Sequence, residues 1–263
     1  MPDVPVVILC GGQSSRIRDV AESLPKPMVP IGGKPILWHI MKIYAAHGFK
    51  HFILALGYKG WVIKEYFLNY QAMNSDFSLS FQDGGKKIRY ENAHERIDWN
   101  ILCAETGEHT LTGGRIRRLM PYIETEHFMV TYGDGVGNVD ITQLWKFHLS
   151  QGKLCTVTGV TPSGRFGSMA VAGDTVTEFN EKPDAGGGLI NGGFFVFRRE
   201  FLDLLAGQPD SMLEDLPMAE LVKRQELKVY KHRGFWEPMD TMRDYNVLND
   251  LWDKGRAPWK VWE

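Results

Sequence analysis

Cysteine is scarce: Cys10, Cys103 and Cys155 are the whole complement of a 263-residue chain. They are odd in number and far apart, each falls in an apolar run, and none belongs to a C-x-x-C spacing. This argues against a disulfide framework or a thiolate metal site and predicts reduced core thiols. Nowhere do 18 consecutive apolar residues occur, so no membrane-spanning helix is expected. The opening MPDVPVVILCGG has no basic flank before its brief apolar run and no cleavage site, so a cytoplasmic protein is expected. An excess of one charge is missing as well, since 30 Lys and Arg face 32 Asp and Glu for a formal net charge of -2. No global field is available to hold nucleic acid or an anionic membrane, and any bound anion must be gripped locally.

Several catalytic signatures are also missing. The eight histidines form no H-E-x-x-H or related spacing, and no G-x-S-x-G places a serine at a nucleophile turn, which argues against hydrolases. A Walker loop is absent, because Gly33-Lys34 is followed by Pro35 and Met28 stands where its first glycine would be. No G-x-G-x-x-G opens the first strand–helix turn, so a P-loop NTPase and a Rossmann dehydrogenase both lose support. Internal repeats, low-complexity tracts and flexible linkers are not evident.

What is present is an ordinary globular composition, 43% hydrophobic and 24% charged. Short apolar runs alternate with helical periodicity: VVILC, then PILWHIMKIYAAHG, then HFILAL, then WVIKEYFLNY. In the second segment Pro35 suits a first helical turn, Ile36, Ile40, Ile43 and Tyr44 fall on one face, and Gly48 suits a stop. β-α-β-α of this kind predicts a parallel sheet covered on both faces. Further strands are expected at FSLSF, WNILCAE and HFMVTY, with helices at TGGRIRRLM and around residues 141–149. After residue 150 the texture becomes β runs with turn punctuation, LCTVTGV, MAVAG, TVTEFNEKP, INGGFFVF and LKVYKH, predicting a mixed region over the ligand edge of the sheet. One continuous domain is expected over residues 1–263: a nucleotide-binding half (1–150), a β-rich half (151–240), and a C-terminal helix and tail (241–263). Because ligands sit beyond the carboxyl ends of strands in open α/β sheets, Gly11-Gly12 and Gly133-Asp134-Gly135 should share one edge.

The candidate residues gather there. Gly11-Gly12-Gln13-Ser14-Ser15-Arg16 follows the first strand; its glycines would let backbone N–H groups approach phosphate, and Arg16 can fork onto phosphate oxygens, though a plain polar turn is equally consistent. In Pro25-Lys26-Pro27 the second proline restrains Lys26 to extended backbone and aims its ammonium, or the segment is simply a rigid loop. Asp134, between glycines at a strand end, suits a magnesium ion held by one or two carboxylates and substrate phosphates, and also suits a common turn. A second carboxylate is offered by Asp240, which would equally serve as N-cap to MRDYNVLNDLW. Glu181-Lys182-Pro183 and Asn191-Gly192 carry donors and acceptors fit for a hydroxyl-rich ligand. Thr112-Gly113-Gly114-Arg115 opens a helix and offers a further anion contact, with Arg117 and Arg118 toward solvent. Arg165-Phe166-Gly167 fits a ligand turn or a subunit contact, and the eight tryptophans read as core or interface anchors.

Taken together, LCGGQSSR, PKPM, IGGKPILWHIMK, GYKG, TGGRIRR, TYGDGV, GRFG, EKP, INGGFFV, PMDT and the tail KGRAPWKVWE resemble the sugar-nucleotidyltransferase family over nearly the whole chain. GGKPILWHIMK, INGGFF and the tail are similar to its cytidylyl branch. The resemblance implies a GT-A-like Rossmannoid α/β fold with a mixed central sheet flanked by helices. It also implies transfer of a cytidylyl group from CTP to glucose 1-phosphate, giving CDP-glucose and pyrophosphate, with Mg2+ as cofactor and a homo-oligomer, trimer or hexamer, as the assembly. Carried onto matching positions, it implies nucleotide contacts at Leu9, Cys10, Gly11, Gly12, Gln13, Ser14, Ser15, Arg16, Lys26, Thr112, Gly113, Arg115 and Gly133. Sugar phosphate would lie at Tyr132, Gly167, Glu181, Lys182, Asn191 and Gly192, metal at Asp134 and Asp240, and Arg16, Lys26 and Asp134 would be catalytic. One departure falls in the first loop: the family reads Gly-Gly-x-Gly-Thr-Arg-Leu, and this chain has Ser14-Ser15-Arg16-Ile17 after Gln13, a loop similar to that of molybdenum-cofactor guanylyltransferases. A sibling enzyme using another base or sugar, or a sugar-nucleotide sensor without catalysis, stays open at this point.

Overall fold

In the computed structural model the described residues are 3–12, 24–82, 85–95, 97–161, 168–172, 175–180, 189–207 and 210–263. Strand β1 (Val6–Cys10) is completely buried and lies in the middle of a sheet. A small hairpin, β2 (Pro30–Ile31) and β3 (Lys34–Pro35), leads into α1 (Ile36–Ala46), then β4 (His51–Leu56), α2 (Gly60–Leu68), α3 (Tyr70–Met73), β5 (Ser75–Ser80), β6 (Lys87–Ala93) and β7 (Asn100–Glu105). Next come α4 (Thr112–Arg118), β8 (His127–Tyr132), β9 (Gly135–Gly137), α5 (Ile141–Gln151), β10 (Cys155–Val160), β11 (Ser168–Ala172), β12 (Thr175–Asn180) and β13 (Ile190–Arg198). The chain ends with α6 (Phe201–Ala206), α7 (Leu216–Lys223), β14 (Leu227–His232), β15 (Trp236–Pro238) and α8 (Met242–Asp253).

The main sheet has seven strands in the order β14-β10-β13-β8-β1-β4-β7. β1 pairs in parallel with β4 on one side and β8 on the other, β4 with β7 and β10 with β14 are also parallel, and β13 runs antiparallel to both neighbours. The expected mixed sheet is therefore present, with its antiparallel strand inside the sheet. Chain order runs outward from β1 toward β4 and jumps back to β8 on the other side, so the crevice beyond the ends of β1 and β8 is a topological switch point, where ligands enter folds of this kind.

Alternation along β1 sends successive side chains to opposite faces. Val6, Ile8 and Cys10 join a core with Ile36, Ile40, Ile43 and Leu248. Val7 and Leu9 join a second core with Ile116, Leu119, Phe197 and Phe201. Two packed faces explain why the strands read as continuous apolar runs.

Three local expectations are corrected. Helix α1 begins at Ile36 with Pro35 outside it, and it is buried almost all round, because Trp252, Trp259 and Trp262 cover the side bearing Trp38 and His39. Helix α4 stops at Arg118, and a 3₁₀ turn at Met120–Tyr122 containing Pro121 replaces its last turn. Of the cysteines, Cys10 and Cys155 are buried free thiols, whereas Cys103 is half-buried on β7, which among the described residues is the end strand of the sheet. Among the described residues no helix is long and apolar enough to cross a membrane.

Candidate active site

The expected convergence of the two glycine turns occurs. The Gly133 N–H donates to the Leu9 carbonyl at 3.1 Å, fastening the end of β8 to the end of β1. Only glycine fits there, because a Cβ would stand 2.8 Å from the Leu9 carbonyl oxygen and 3.0 Å from Pro27 Cγ. That contact also brings in the Pro25-Lys26-Pro27 segment. Lys26 is not extended as the sequence suggested but opens a 3₁₀ turn, Lys26–Met28, closed by Met28 N–H donating to the Pro25 carbonyl at 2.8 Å. Pro27 tolerates this position because its missing N–H would have had no partner in the first turn.

The turn aims Lys26 at two carboxylates. Its Nζ donates to Asp134 Oδ2 at 2.7 Å and to Asp240 Oδ1 at 2.5 Å. Asp240 arrives from more than one hundred residues away because β15 pairs antiparallel with β9, Pro238 opposite Gly135, and the Met239 N–H then donates to the Asp134 carbonyl at 2.8 Å. The helix-cap alternative for Asp240 is overturned. Thr241 is the N-cap of α8, in a reciprocal capping box with Asp244, so the Asp240 carboxylate is left for Lys26. Burial disfavours the Lys26 charge, yet the Asp134 and Asp240 carboxylates more than compensate and raise its pKa above the ordinary lysine value. Two carboxylates meeting on one cation form a pair that also suits a divalent ion. Among the described residues no group of three His, Cys, Asp or Glu could complete an all-protein metal cage, so further oxygens would come from substrate and water.

Two clefts meet at this pair. The larger, about 460 Å³, is lined by Leu9, Gly11, Gly12, Lys26, Thr112, Arg115, Gly133 and Asp134, together with Glu108, His109, Thr110, Leu111 and Met212. The smaller, about 300 Å³, is lined by Asn191, Gly192, Gly193, Trp236 and Asp240, and both share Tyr132 and Asp134. Cys10 is sealed in the core beneath Gly11, with burial pushing its thiol pKa up. Gly113 is buried in α4, with its N–H donating to the Ser211 carbonyl at 3.0 Å.

Arg115, read from the sequence as an anion contact, has its guanidinium turned to the loop backbone. Nη1 donates to the Leu56 carbonyl, Thr106 Oγ1 and the Gly107 carbonyl, and Nη2 to the Gly11 and Glu108 carbonyls, at 2.7–3.1 Å. A Cβ on Gly11 would collide with this guanidinium at 1.9 Å. Arg115 thus ties together the loops after β1, β4 and β7 that floor the cleft. Expected residues Gln13, Ser14, Ser15, Arg16, Gly167, Glu181 and Lys182 lie outside the described residues, as does Arg165-Phe166. Sequence reading missed residues 108–111 and 211–214. Their side chains are of ordinary loop type, and tertiary hydrogen bonds bring them to the site, among them those of Leu111 and Thr112 with Asp210, Leu213 and Glu214.

Sheet order, switch-point crevice and the lysine held by two carboxylates define a nucleotidyltransferase, and the chain belongs to the nucleotidyl transferase family, whose model matches residues 5–251. More particularly, it is 46% identical over 259 residues to the glucose-1-phosphate cytidylyltransferase of Salmonella typhimurium strain LT2, covering 98% of this chain and 99% of that one. It is 31% identical over 211 residues to the D-glycero-alpha-D-manno-heptose 1-phosphate guanylyltransferase of Campylobacter jejuni, covering 80% of this chain and 82% of that one. Crystal structures of HddC from Yersinia pseudotuberculosis, alone and complexed with GMP-PN, share the fold: each has a TM-score of 0.64, at 23% and 24% identity, over 95% of this chain and 99% of theirs.

Proposed function

We propose that this enzyme transfers a cytidylyl group from CTP to α-D-glucose 1-phosphate, giving CDP-glucose and pyrophosphate. The observation that carries the reading is the Lys26 ammonium held between Asp134 and Asp240 on the ridge shared by the two clefts. The larger cleft takes CTP, on the backbone of Gly11 and Gly12 and beside Thr112, and the smaller takes the sugar phosphate beside Tyr132, Asn191 and Gly192. A phosphate oxygen of glucose 1-phosphate attacks the α-phosphorus of CTP, a new P–O bond forms, and the bond to the β-phosphate oxygen breaks with its electron pair leaving on pyrophosphate. Two polyanions must be brought together, so this chain's work is positioning and charge neutralisation, and no protein nucleophile is required. Lys26 offsets charge as it builds on the transferring phosphoryl, and Arg16 grips the phosphates. Asp134 and Asp240 are the residues that would hold Mg2+, which when bound screens the triphosphate and polarises its α-phosphoryl group.

The identity to the Salmonella enzyme over nearly the full length of both chains supports this choice of substrates. The same reading extends to a cytoplasmic homo-oligomer. A sibling reaction with another base is favoured by one feature, the serines at 14 and 15 where the resembled family has Gly-Thr. Phosphorus NMR of the reaction tests the whole proposal: CTP and glucose 1-phosphate must give the paired doublets of a diphosphate diester together with free pyrophosphate. Inorganic phosphate as the product would overturn it.

A further inference from the structure

The loop carrying Ser211, Leu213 and Glu214 reaches both clefts through one side chain. Thr112 Oγ1 donates to Glu214 Oε2 at 2.8 Å and accepts from the Leu213 N–H at 2.7 Å. The Tyr132 hydroxyl donates to Glu214 Oε1. Asn191 Nδ2 donates to the Tyr132 oxygen at 3.0 Å, and Asn191 Oδ1 accepts from the Gly193 N–H at 2.9 Å. Thr112 lies in the larger cleft, Asn191 in the smaller, and Tyr132 in both.

Each bond in this chain has a forced direction. An ionised carboxylate has no proton to give, so both hydroxyls must point theirs at Glu214. A phenol holds its proton at neutral pH, so the Tyr132 hydroxyl keeps the proton it donates to Glu214. The Tyr132 oxygen can then only accept from Asn191, which turns the amide nitrogen toward it and leaves the amide oxygen for Gly193. Resting on the functional reading above, we propose that Glu214 is a positioning residue that links the two clefts: through Tyr132 it sets which way the Asn191 amide faces the sugar phosphate, and through Thr112 it holds a hydroxyl at the nucleotide.

Replacing Glu214 by glutamine separates this role from a merely structural one. Glutamine keeps the shape but offers one carbonyl and one NH2, so it cannot accept from both hydroxyls. If the NH2 faces Tyr132, the phenol proton turns toward Asn191, the amide must flip, and the Gly193 N–H loses its acceptor. If it faces Thr112, the hydroxyl oxygen accepts from both the new NH2 and the Leu213 N–H, and its own proton loses its acceptor and turns away, which shifts the Leu213 amide environment. Glu214 is exposed on a loop, so the variant should fold and melt as the wild type does. The experiment measures steady-state kinetics of the full chain for wild type, Glu214→Gln, Asn191→Ala and the double variant, and records the Gly193 and Leu213 backbone amide resonances. Expected in Glu214→Gln are a KM raised roughly tenfold for glucose 1-phosphate, for CTP or for both, a kcat changed less than threefold, and a displaced Gly193 or Leu213 resonance. If the Gly193 resonance is the one displaced, Asn191→Ala should absorb most of the effect on the sugar-phosphate KM. Wild-type values of both KMs with both resonances unmoved would overturn the proposal, as would a Gly193 displacement whose kinetic effect simply adds to that of Asn191→Ala. If the wild type gave no turnover with this substrate pair, the functional reading would fall, and the amide resonances would still decide the relay.

Discussion

Lys26→Ala leaves Asp134 and Asp240 facing one another without a cation. Their oxygens stand 2.7 and 2.5 Å from Lys26 Nζ, so they lie within about 5 Å of each other. Two unit charges at that separation repel by about 3 kcal/mol at an effective dielectric near 20. Both carboxylates are about one-third exposed, so water and salt reduce the cost to roughly 1–2 kcal/mol. That corresponds to a fall in Tm of roughly 2–8 °C for a chain of this size, a loss the two cores survive. Turnover should fall far more, by roughly 10²–10³, the usual effect of removing one preorganised charge-stabilising group. A further signature follows from competition. In the wild type a divalent cation must displace Lys26 from both carboxylates, whereas in Lys26→Ala it meets them free, so Mg2+ should raise the Tm of the variant more than that of the wild type. Pyrophosphate release and thermal melts with and without Mg2+ check the three expectations together. Turnover within about threefold of wild type would refute the catalytic role, and a Tm increment from Mg2+ no larger than in the wild type would refute the shared-cation geometry.

Asp240→Asn should cut turnover by roughly 10² and weaken its Mg2+ dependence while leaving the melting curve unchanged, because Thr241 caps α8; Thr241→Ala should instead cost about 1 kcal/mol in denaturant unfolding with kcat nearly kept. Gly133→Ala should lower stability by about 1–3 kcal/mol and depress kcat with it, since its Cβ meets the Leu9 carbonyl oxygen at 2.8 Å and the turn that carries Lys26; a fully stable, fully active variant would show that the three segments are not locked together. His39 is kept neutral by burial, its pKa lowered to about 4, with Nε2–H donating to the Ile31 carbonyl and Nδ1 accepting from Trp259. Because the folded pKa lies below the ordinary 6.5, its contribution is full above about pH 6.5 and is lost as pH falls toward 4, a difference on the order of 3 kcal/mol. His47, His127 and His148 are lowered as well and act in the same direction, so His39→Gln should reduce but not abolish the loss of stability between pH 7 and pH 4.5 in denaturant titrations; an unchanged slope would contradict the assignment.

The strands and helices around β1 were legible because their signals are local: continuous apolar runs, a glycine stop at Gly48 with φ +86, and an apolar periodicity that marks α1 as a helix without showing that the C-terminal tryptophans bury its other side. Gly11, Gly12, Lys26, Asp134 and Asp240 were legible because glycine pairs and prolines mark unusual backbone, and a carboxylate at a strand end marks the ligand edge. The competing readings of Asp240 could not be separated in one dimension. Thr241 and Asp244 form the capping box, but only the pairing of β15 with β9 shows that the preceding carboxylate is turned to Lys26. Arg115 is ambiguous in the same way, since arginine at a helix start beside glycines looks the same whether it faces an anion or the carbonyls of three loops. Glu214 had no signal at all: its partners Thr112 and Tyr132 are 102 and 82 residues away, and its own neighbourhood is that of an ordinary loop.

The central claim is the identity of the two substrates, and the direct test is pyrophosphate release with glucose 1-phosphate and Mg2+, offering CTP, UTP, dTTP, GTP and ATP in separate reactions. Rapid release with CTP and little with the other four is the predicted result. Release with a different nucleotide, or none with any of the five, would contradict it.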